Sequence, residues 1–196
     1  MFDLSQHKGI LLDLGCGANK QKGFVGMDLR DLPGVDIVHD LEDFPWPLPD
    51  DCCLTVVGSH IVEHIKPWFS IPLLDEVWRV LRLEGNVAFS MPYAGSPGFW
   101  QDPTHCNGWS EVTWQYFDPM YPLYQIYKPK PWFIKLGYPV WSAGGNLEVI
   151  MEKISEEQAK EAIDAVLKKM AGPEEEAGET LGISVEDSVK AKEAVG

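Results

Sequence analysis

Five short apolar runs, each closed by a glycine or a polar residue, constrain this chain more than any other feature. Gly9-Ile10-Leu11-Leu12-Asp13-Leu14 leads directly into Gly15-Cys16-Gly17. Gly23-Phe24-Val25-Gly26-Met27-Asp28, Val35-Asp36-Ile37-Val38-His39-Asp40, Cys52-Cys53-Leu54-Thr55-Val56-Val57-Gly58 and Asn86-Val87-Ala88-Phe89-Ser90-Met91 follow. Near-continuous apolar runs of this length suit strands covered on both faces, as in a parallel sheet. Between the fourth and fifth runs, Leu73, Leu74, Val77, Val80 and Leu81 recur at helical spacing, with Asp75, Glu76, Arg79 and Arg82 on the other side. Pro72 suits a first turn and Gly85 a stop. Strand, helix, strand in that order implies a right-handed parallel crossover. Residues 132–141 and 146–151 read as a closing antiparallel hairpin. The fold class is therefore α/β, doubly wound, with a mostly parallel sheet.

The turn after the first run is the first functional signal. Glycines at alternate positions let a ligand lie against bare backbone whose amides are free to donate. The next two runs end in Asp28 and Asp40. In an open α/β sheet ligands bind outside the carboxyl ends of the strands, at the switch point. An acid ending the second strand can grip both hydroxyls of a ribose, and one ending the third can accept from an adenine amino group. A dinucleotide fingerprint needs a third glycine where Lys20 stands, so a nicotinamide-linked oxidoreductase ranks third. No phosphate loop with Gly-Lys-Ser/Thr occurs.

Leu11-Leu12-Asp13-Leu14-Gly15-Cys16-Gly17, the acids Asp28 and Asp40, and Ser59-His60-Ile61-Val62-Glu63-His64 resemble the successive motifs of class I S-adenosylmethionine-dependent methyltransferases. The stretch from Leu73 to Gly85 resembles the helix and turn that follow, and Asp102-Pro103-Thr104-His105 resembles a loop of one subgroup. The resemblance covers residues 9–92 and implies a Rossmann-like fold, S-adenosylmethionine as cofactor, and methyl transfer. By it, Asp13, Gly15, Cys16 and Gly17 hold the methionine end, Asp28 and Leu29 the ribose, and Asp40 with the Leu41 backbone the adenine. Ser59 and His60 face the methionine and the sulfonium. The chain departs from the common pattern in two respects. The short link from Ala18 to Lys22 leaves the usual first helix missing or reduced to a turn, and with only eight residues before the first strand the N-terminal helix that often covers the cofactor is expected to be missing too. Cover for the cofactor must come from residues 92–135, the tail or a second subunit, which leaves a homodimer open.

A general base is needed only for a hydroxyl or protonated-amine acceptor. His64, after the fourth strand, and His105 are candidates for it, and Tyr93 could position an acceptor. Whether a base or a divalent metal serves that step stays open. His60-Ile61-Val62-Glu63-His64 also matches a zinc-protease signature, but the preceding strand and Pro67 argue against a helix there. Some methyltransferases that this chain resembles hold a divalent metal near the acceptor hydroxyl on a Glu-x-x-Glu-His cluster. Here His60 stands at the first glutamate, so no metal ligands are assigned, and Glu63 and His64 are expected to form a polar network beneath the cofactor. Residues 92–141 hold 14 of the 22 aromatics. Of these, Phe99, Trp100, Trp109, Trp114, Tyr116 and Phe117 are divided between an acceptor pocket and plain core.

The formal charge of −14, from 16 basic and 30 acidic side chains, excludes phosphate backbones and anionic lipid as general partners. The expected acceptor is a small molecule, or a glycan or lipid-precursor hydroxyl, with no nucleic acid and no membrane. A non-catalytic adenosyl-ligand-binding or scaffold protein of the same fold is the main alternative. The N-terminal stretch lacks the pattern of a signal peptide, and Cys16, Cys52, Cys53 and Cys106 read as reduced thiols of a cytoplasmic protein. Residues 1–154 read as the methyltransferase domain. Residues 155–196 read as an acidic tail with a helix capped near Ser155, a disordered acidic run at 174–176 and a last short helix opening at Ser184.

Overall fold

The computed structural model of the chain describes residues 9–142 and 144–170. The five apolar runs form strands β1 (Ile10–Leu14), β2 (Val25–Asp28), β3 (Ile37–Val38), β4 (Cys53–Ser59) and β5 (Leu81–Pro92), all parallel. Three more strands follow: β6 (Trp132–Ile134), β7 (Val140–Trp141) and β8 (Asn146–Lys153). The order across the sheet is β3-β2-β1-β4-β5-β8-β6, with β7 beside β6 on the same edge of β8. β8 runs antiparallel to β5, β6 and β7, which is the expected closing hairpin with its first arm broken in two. The chain winds from β1 to β3 in one direction and from β4 to β5 in the other, so the switch point lies at the carboxyl ends of β1 and β4.

Helix α1 (Ser70–Val80) buries Leu73, Leu74, Val77 and Val80 against the core. It ends earlier than its sequence pattern predicts. Leu81 is already extended, pairs with Cys53, and its carbonyl accepts from Lys153 Nζ at 2.6 Å. Gly85 therefore serves a bulge in β5 rather than the helix stop, since a Cβ there would meet the Arg82 carbonyl at 2.8 Å. The polar face of α1 is also less solvated than expected. Glu76 is buried, accepts from Trp46 N at 2.6 Å, and pairs with Arg79, whose Nη1 reaches the Leu48 carbonyl at 2.8 Å. These bonds fasten the β3–β4 link to α1.

Along β5 and β8 alternate residues (Val87, Phe89, Met91; Leu147, Val149, Met151) are buried in the main core. The aromatic segment adds three short helices, α2 (Pro97–Trp100), α3 (Glu111–Trp114) and α4 (Tyr124–Tyr127). Its Trp109 and Trp114 stack at 4.3 Å, and Trp114 stacks on Phe89 of β5 at 5.9 Å. Helix α5 (Glu156–Met170) starts at the expected cap, with Gln158 N donating to Ser155 Oγ and Ser155 N to Gln158 Oε1. The readings for 174–176 and Ser184 lie outside the described residues. No helix among the described residues is long and apolar enough to cross a membrane.

Candidate functional site

The β1–β2 turn carries no helix, as the short link predicts. Gly15 (φ 61°) and Gly17 (φ 54°) both take the left-handed conformation that glycine tolerates best. Gly15 N and Cys16 N both donate to the Met27 carbonyl, at 2.8 and 3.3 Å. Room is also limiting, because a Cβ on Gly15 would sit 2.6 Å from Ile61 Cδ1. Aspartates then supply acceptors for the turn. Asp13 accepts from Gln21 N at 2.8 Å, while Asp36 accepts from Gly26 N at 2.8 Å and from Lys20 Nζ at 2.5 Å. Burial raises the Asp13 carboxyl above its ordinary value, against the opposing pull of the Gln21 N–H. Lys20, at the place of a third dinucleotide glycine, is thus held by Asp36.

A cleft of about 680 Å³ opens at the switch point. Seven residues expected from the sequence line it: Gly15, Asp28, Leu29, Asp40, Leu41, His60 and His64. Asp13, Cys16 and Gly17 support its floor from the turn and are not in the lining. Ser59, at the end of β4, lines a separate cavity of about 260 Å³ with Gln21, Ser90 and Tyr138. Asp28 is buried and saturated with donors. Its Oδ2 accepts from Gly17 N at 2.8 Å, and its Oδ1 from Arg30 N at 2.9 Å and Arg30 Nε at 3.1 Å. Burial alone would raise this carboxyl; the Arg30 side chain, with the Arg30 and Gly17 N–H groups, outweighs it and holds the group below its ordinary value. Asp40 is exposed, and its Oδ1 caps Glu42 N at 2.9 Å.

Sequence reasoning missed Arg30, Ile61 and Thr104 as residues of this cleft. A cation two positions after the ribose acid was the available signal for the first. Thr104 lay inside the quoted Asp-Pro-Thr-His loop without being assigned a role.

A second cluster adjoins the same cleft through His64 and Thr104. Residues 60–64 do not form a helix: His60 stands at φ 54° and a turn follows, so the zinc-protease geometry is absent. The Glu63 carbonyl accepts from Cys106 N and Asn107 N, at 2.9 and 3.1 Å, which brings the Asp102–His105 loop against it. The Glu63 side chain is fully buried and neither carboxylate oxygen has a hydrogen-bond partner. The nearest side-chain nitrogens are His60 Nδ1 at 3.2 Å and His105 Nε2 at 4.0 Å. Burial raises its carboxyl, against the pull of His60, His64 and His105. The polar network expected of Glu63 and His64 thus extends to His60 and His105.

Tyr93 belongs elsewhere. It lies just past β5, with its ring 4.1 Å from that of Trp141, and it is not in the cleft lining. Of the six aromatics divided between pocket and core, Phe99, Trp109, Trp114 and Phe117 are buried in the protein, Tyr116 is half-buried, and Trp100 is 76% exposed.

No sequence-family model and no curated protein sequence matches the chain. Solved structures do. A SAM-dependent methyltransferase from Aquifex aeolicus is 16% identical and aligns over 76% of this chain and 84% of its own, with a TM-score of 0.50. A SAM-dependent methyltransferase from Methanosarcina mazei is 12% identical over 80% and 99%, also at 0.50. A complex of the Haloferax volcanii Trm112 methyltransferase activator with a protein assigned as a methyltransferase gives 0.51 at 14% identity, over 78% and 87%. The chain has the fold of the class I SAM-dependent methyltransferases.

Proposed function

We propose that the chain is an S-adenosylmethionine-dependent methyltransferase whose acceptor is a small molecule, or a glycan or lipid-precursor hydroxyl. The observation that carries this reading is the meeting of Gly15, Asp28 and Asp40 in one cleft at the switch point. These residues suit an adenosyl ligand. The left-handed Gly15, with no space for a Cβ, leaves bare backbone at the cleft floor. Asp28 would take the ribose hydroxyls in exchange for the side-chain bonds of Arg30, which is exposed and free to swing away. Asp40 and the Leu41 backbone would take the adenine edge. S-adenosylmethionine supplies a methyl group on a sulfonium already activated for in-line displacement.

The chain's own contribution is then proximity, orientation and proton handling. His105 Nδ1 donates to the Phe99 carbonyl at 2.7 Å, which leaves Nε2 as the free lone pair on the Glu63 side. Thr104 Oγ1 donates to Asp102 at 2.7 Å and accepts from His64 Nδ1 at 3.1 Å, so His64 Nε2 is free as well. Only His64 lines the cleft, so its ring is the one that can take a proton from an acceptor there, and the buried His105 side chain faces Glu63. The charge of −14 favours a neutral or weakly charged acceptor over a polyphosphate.

Incubation with S-adenosylmethionine and a panel of phenols, sugars and polyprenyl or lipid-precursor alcohols tests this reading. Release of S-adenosylhomocysteine with at least one acceptor class is expected. Binding of S-adenosylmethionine with no turnover on any class would favour a non-catalytic binding protein instead.

A further inference from the structure

We infer that Glu63, His64 and His105 form a binding site for one divalent first-row transition-metal ion, with a coordination position open to the cleft. One donor atom from each of the three lies within 4.8 Å of the others. Tetrahedral metal–ligand bonds of about 2.1 Å place donors about 3.4 Å apart, so the widest pair needs to close by roughly 1.4 Å, and His105 Nε2 and Glu63 Oε1, at 4.0 Å, by roughly 0.6 Å.

Three features leave these groups available as donors. Glu63 is wholly buried, yet both of its carboxylate oxygens lack a hydrogen-bond partner. A buried, unpartnered carboxylate costs several kcal/mol unless it meets a cation or takes up a proton. Each histidine has its Nδ1 proton already engaged, His105 by the Phe99 carbonyl and His64 by Thr104. A hydrogen bond from Nδ1 of this kind fixes the ring and leaves Nε2 as the lone pair available to a metal.

His60 stands outside the donor set. With the Asn146 amide donating to its Nε2 at 3.0 Å, its Nδ1 carries the proton and faces Glu63 Oε1. At 3.2 Å it lies beside the carboxylate without making a hydrogen bond to it. Asp102 Oδ2, 3.9 Å from His105 Nε2, is the other anion facing the cluster. Two imidazoles and one carboxylate suit Zn²⁺, Co²⁺, Fe²⁺ or Ni²⁺; Mg²⁺ and Ca²⁺ prefer all-oxygen sites. His64 and Thr104 line the cleft, so an oxygen of the acceptor could fill the open position. That last step rests on the methyl-transfer reading, whereas the ion site does not.

The test uses tag-free full-length protein stripped with a chelator and titrated with Co²⁺, with no adenosyl ligand present. One equivalent should bind and give visible d–d bands. His64→Ala and His105→Ala should each weaken binding at least about tenfold. His39→Ala, at a half-buried histidine bonded to the Asp43 carbonyl and outside the cleft lining, should leave it unchanged. Should either alanine variant unfold, Glu63→Gln keeps the shape and should lose the ion equally. Wild-type protein that binds no Co²⁺, or variants that bind as tightly as wild type, would overturn the inference. S-adenosylhomocysteine titrated into the stripped protein separates the two readings. Cobalt uptake without nucleoside binding removes the cofactor assignment alone, and nucleoside binding without cobalt removes the ion site alone.

Discussion

Two buried carboxylates stand at the same cleft in opposite states. Asp28, at the end of β2, is bonded to Gly17 N, Arg30 N and the Arg30 side chain, and its carboxyl is held below the ordinary value. Glu63, in the turn after β4, is bonded through neither oxygen, and burial raises its carboxyl. The first carboxylate has protein donors on both of its oxygens. The second is incomplete as it stands, and its histidine neighbours are the groups from which a cation or proton site would be made. One end of the cleft is built for exchange of hydrogen bonds, the other for neutralisation of charge.

The largest effect should come from breaking the saturated end. Asp28→Ala removes two charged acceptor oxygens, worth about 1.5–3 kcal/mol for a hydrogen bond to a charged group. S-adenosylhomocysteine affinity should fall by roughly 100-fold, close to 2.7 kcal/mol. Co²⁺ binding at Glu63 should be unchanged. Calorimetry on the variant reads both, and loss of both together would mean that the two ends are not separable.

A smaller effect should sharpen the contrast at the other end. A carboxyl raised on folding contributes stability below its ordinary value of 4.5 and loses that contribution as pH rises through the raised value. Metal-free wild-type protein should therefore melt at a lower temperature as pH rises from 4.5 towards neutrality through Glu63 ionisation. Glu63→Gln should flatten that slope. Thermal melts across this window compare the two proteins, and parallel slopes would show that Glu63 ionises without cost.

The smallest effect concerns Arg30. Its side chain is two-thirds exposed, and exposed ion pairs are worth about 0–1 kcal/mol. Arg30→Ala frees Asp28 for the ribose and should tighten S-adenosylhomocysteine binding by about threefold. Weaker binding in this variant would make Arg30 a ligand contact rather than a competitor.

The difference between the two carboxylates also marks what a sequence can carry. Asp28 and Asp40 were legible because each ends an apolar run, and strand continuity is a local signal. The absence of a helix between Gly17 and β2 was legible from chain length alone. The state of Glu63 was not, because its isolation depends on Cys106 and Asn107 bonding its carbonyl from forty residues away. The burial of Glu76 escaped for the same reason: a helix pattern reports which face is polar, not that Trp46 N and Arg79 lie against it. Leu81 was drawn into the helix by its spacing, whereas pairing with Cys53 and the Lys153 bond to its carbonyl decided for strand. Half of the candidate aromatics were expected to be core, and four of six are buried, because stacking of Trp109 on Trp114 and of Trp114 on Phe89 fills the space beside β5.

The central claim is that the cleft holding Gly15, Asp28 and Asp40 is an adenosyl-ligand site. Calorimetric titration of the wild-type protein with S-adenosylhomocysteine, and separately with NAD, tests it most directly. The account predicts one S-adenosylhomocysteine bound per chain and no heat of binding from NAD. No binding of S-adenosylhomocysteine by folded protein, or equal binding of NAD, would contradict it.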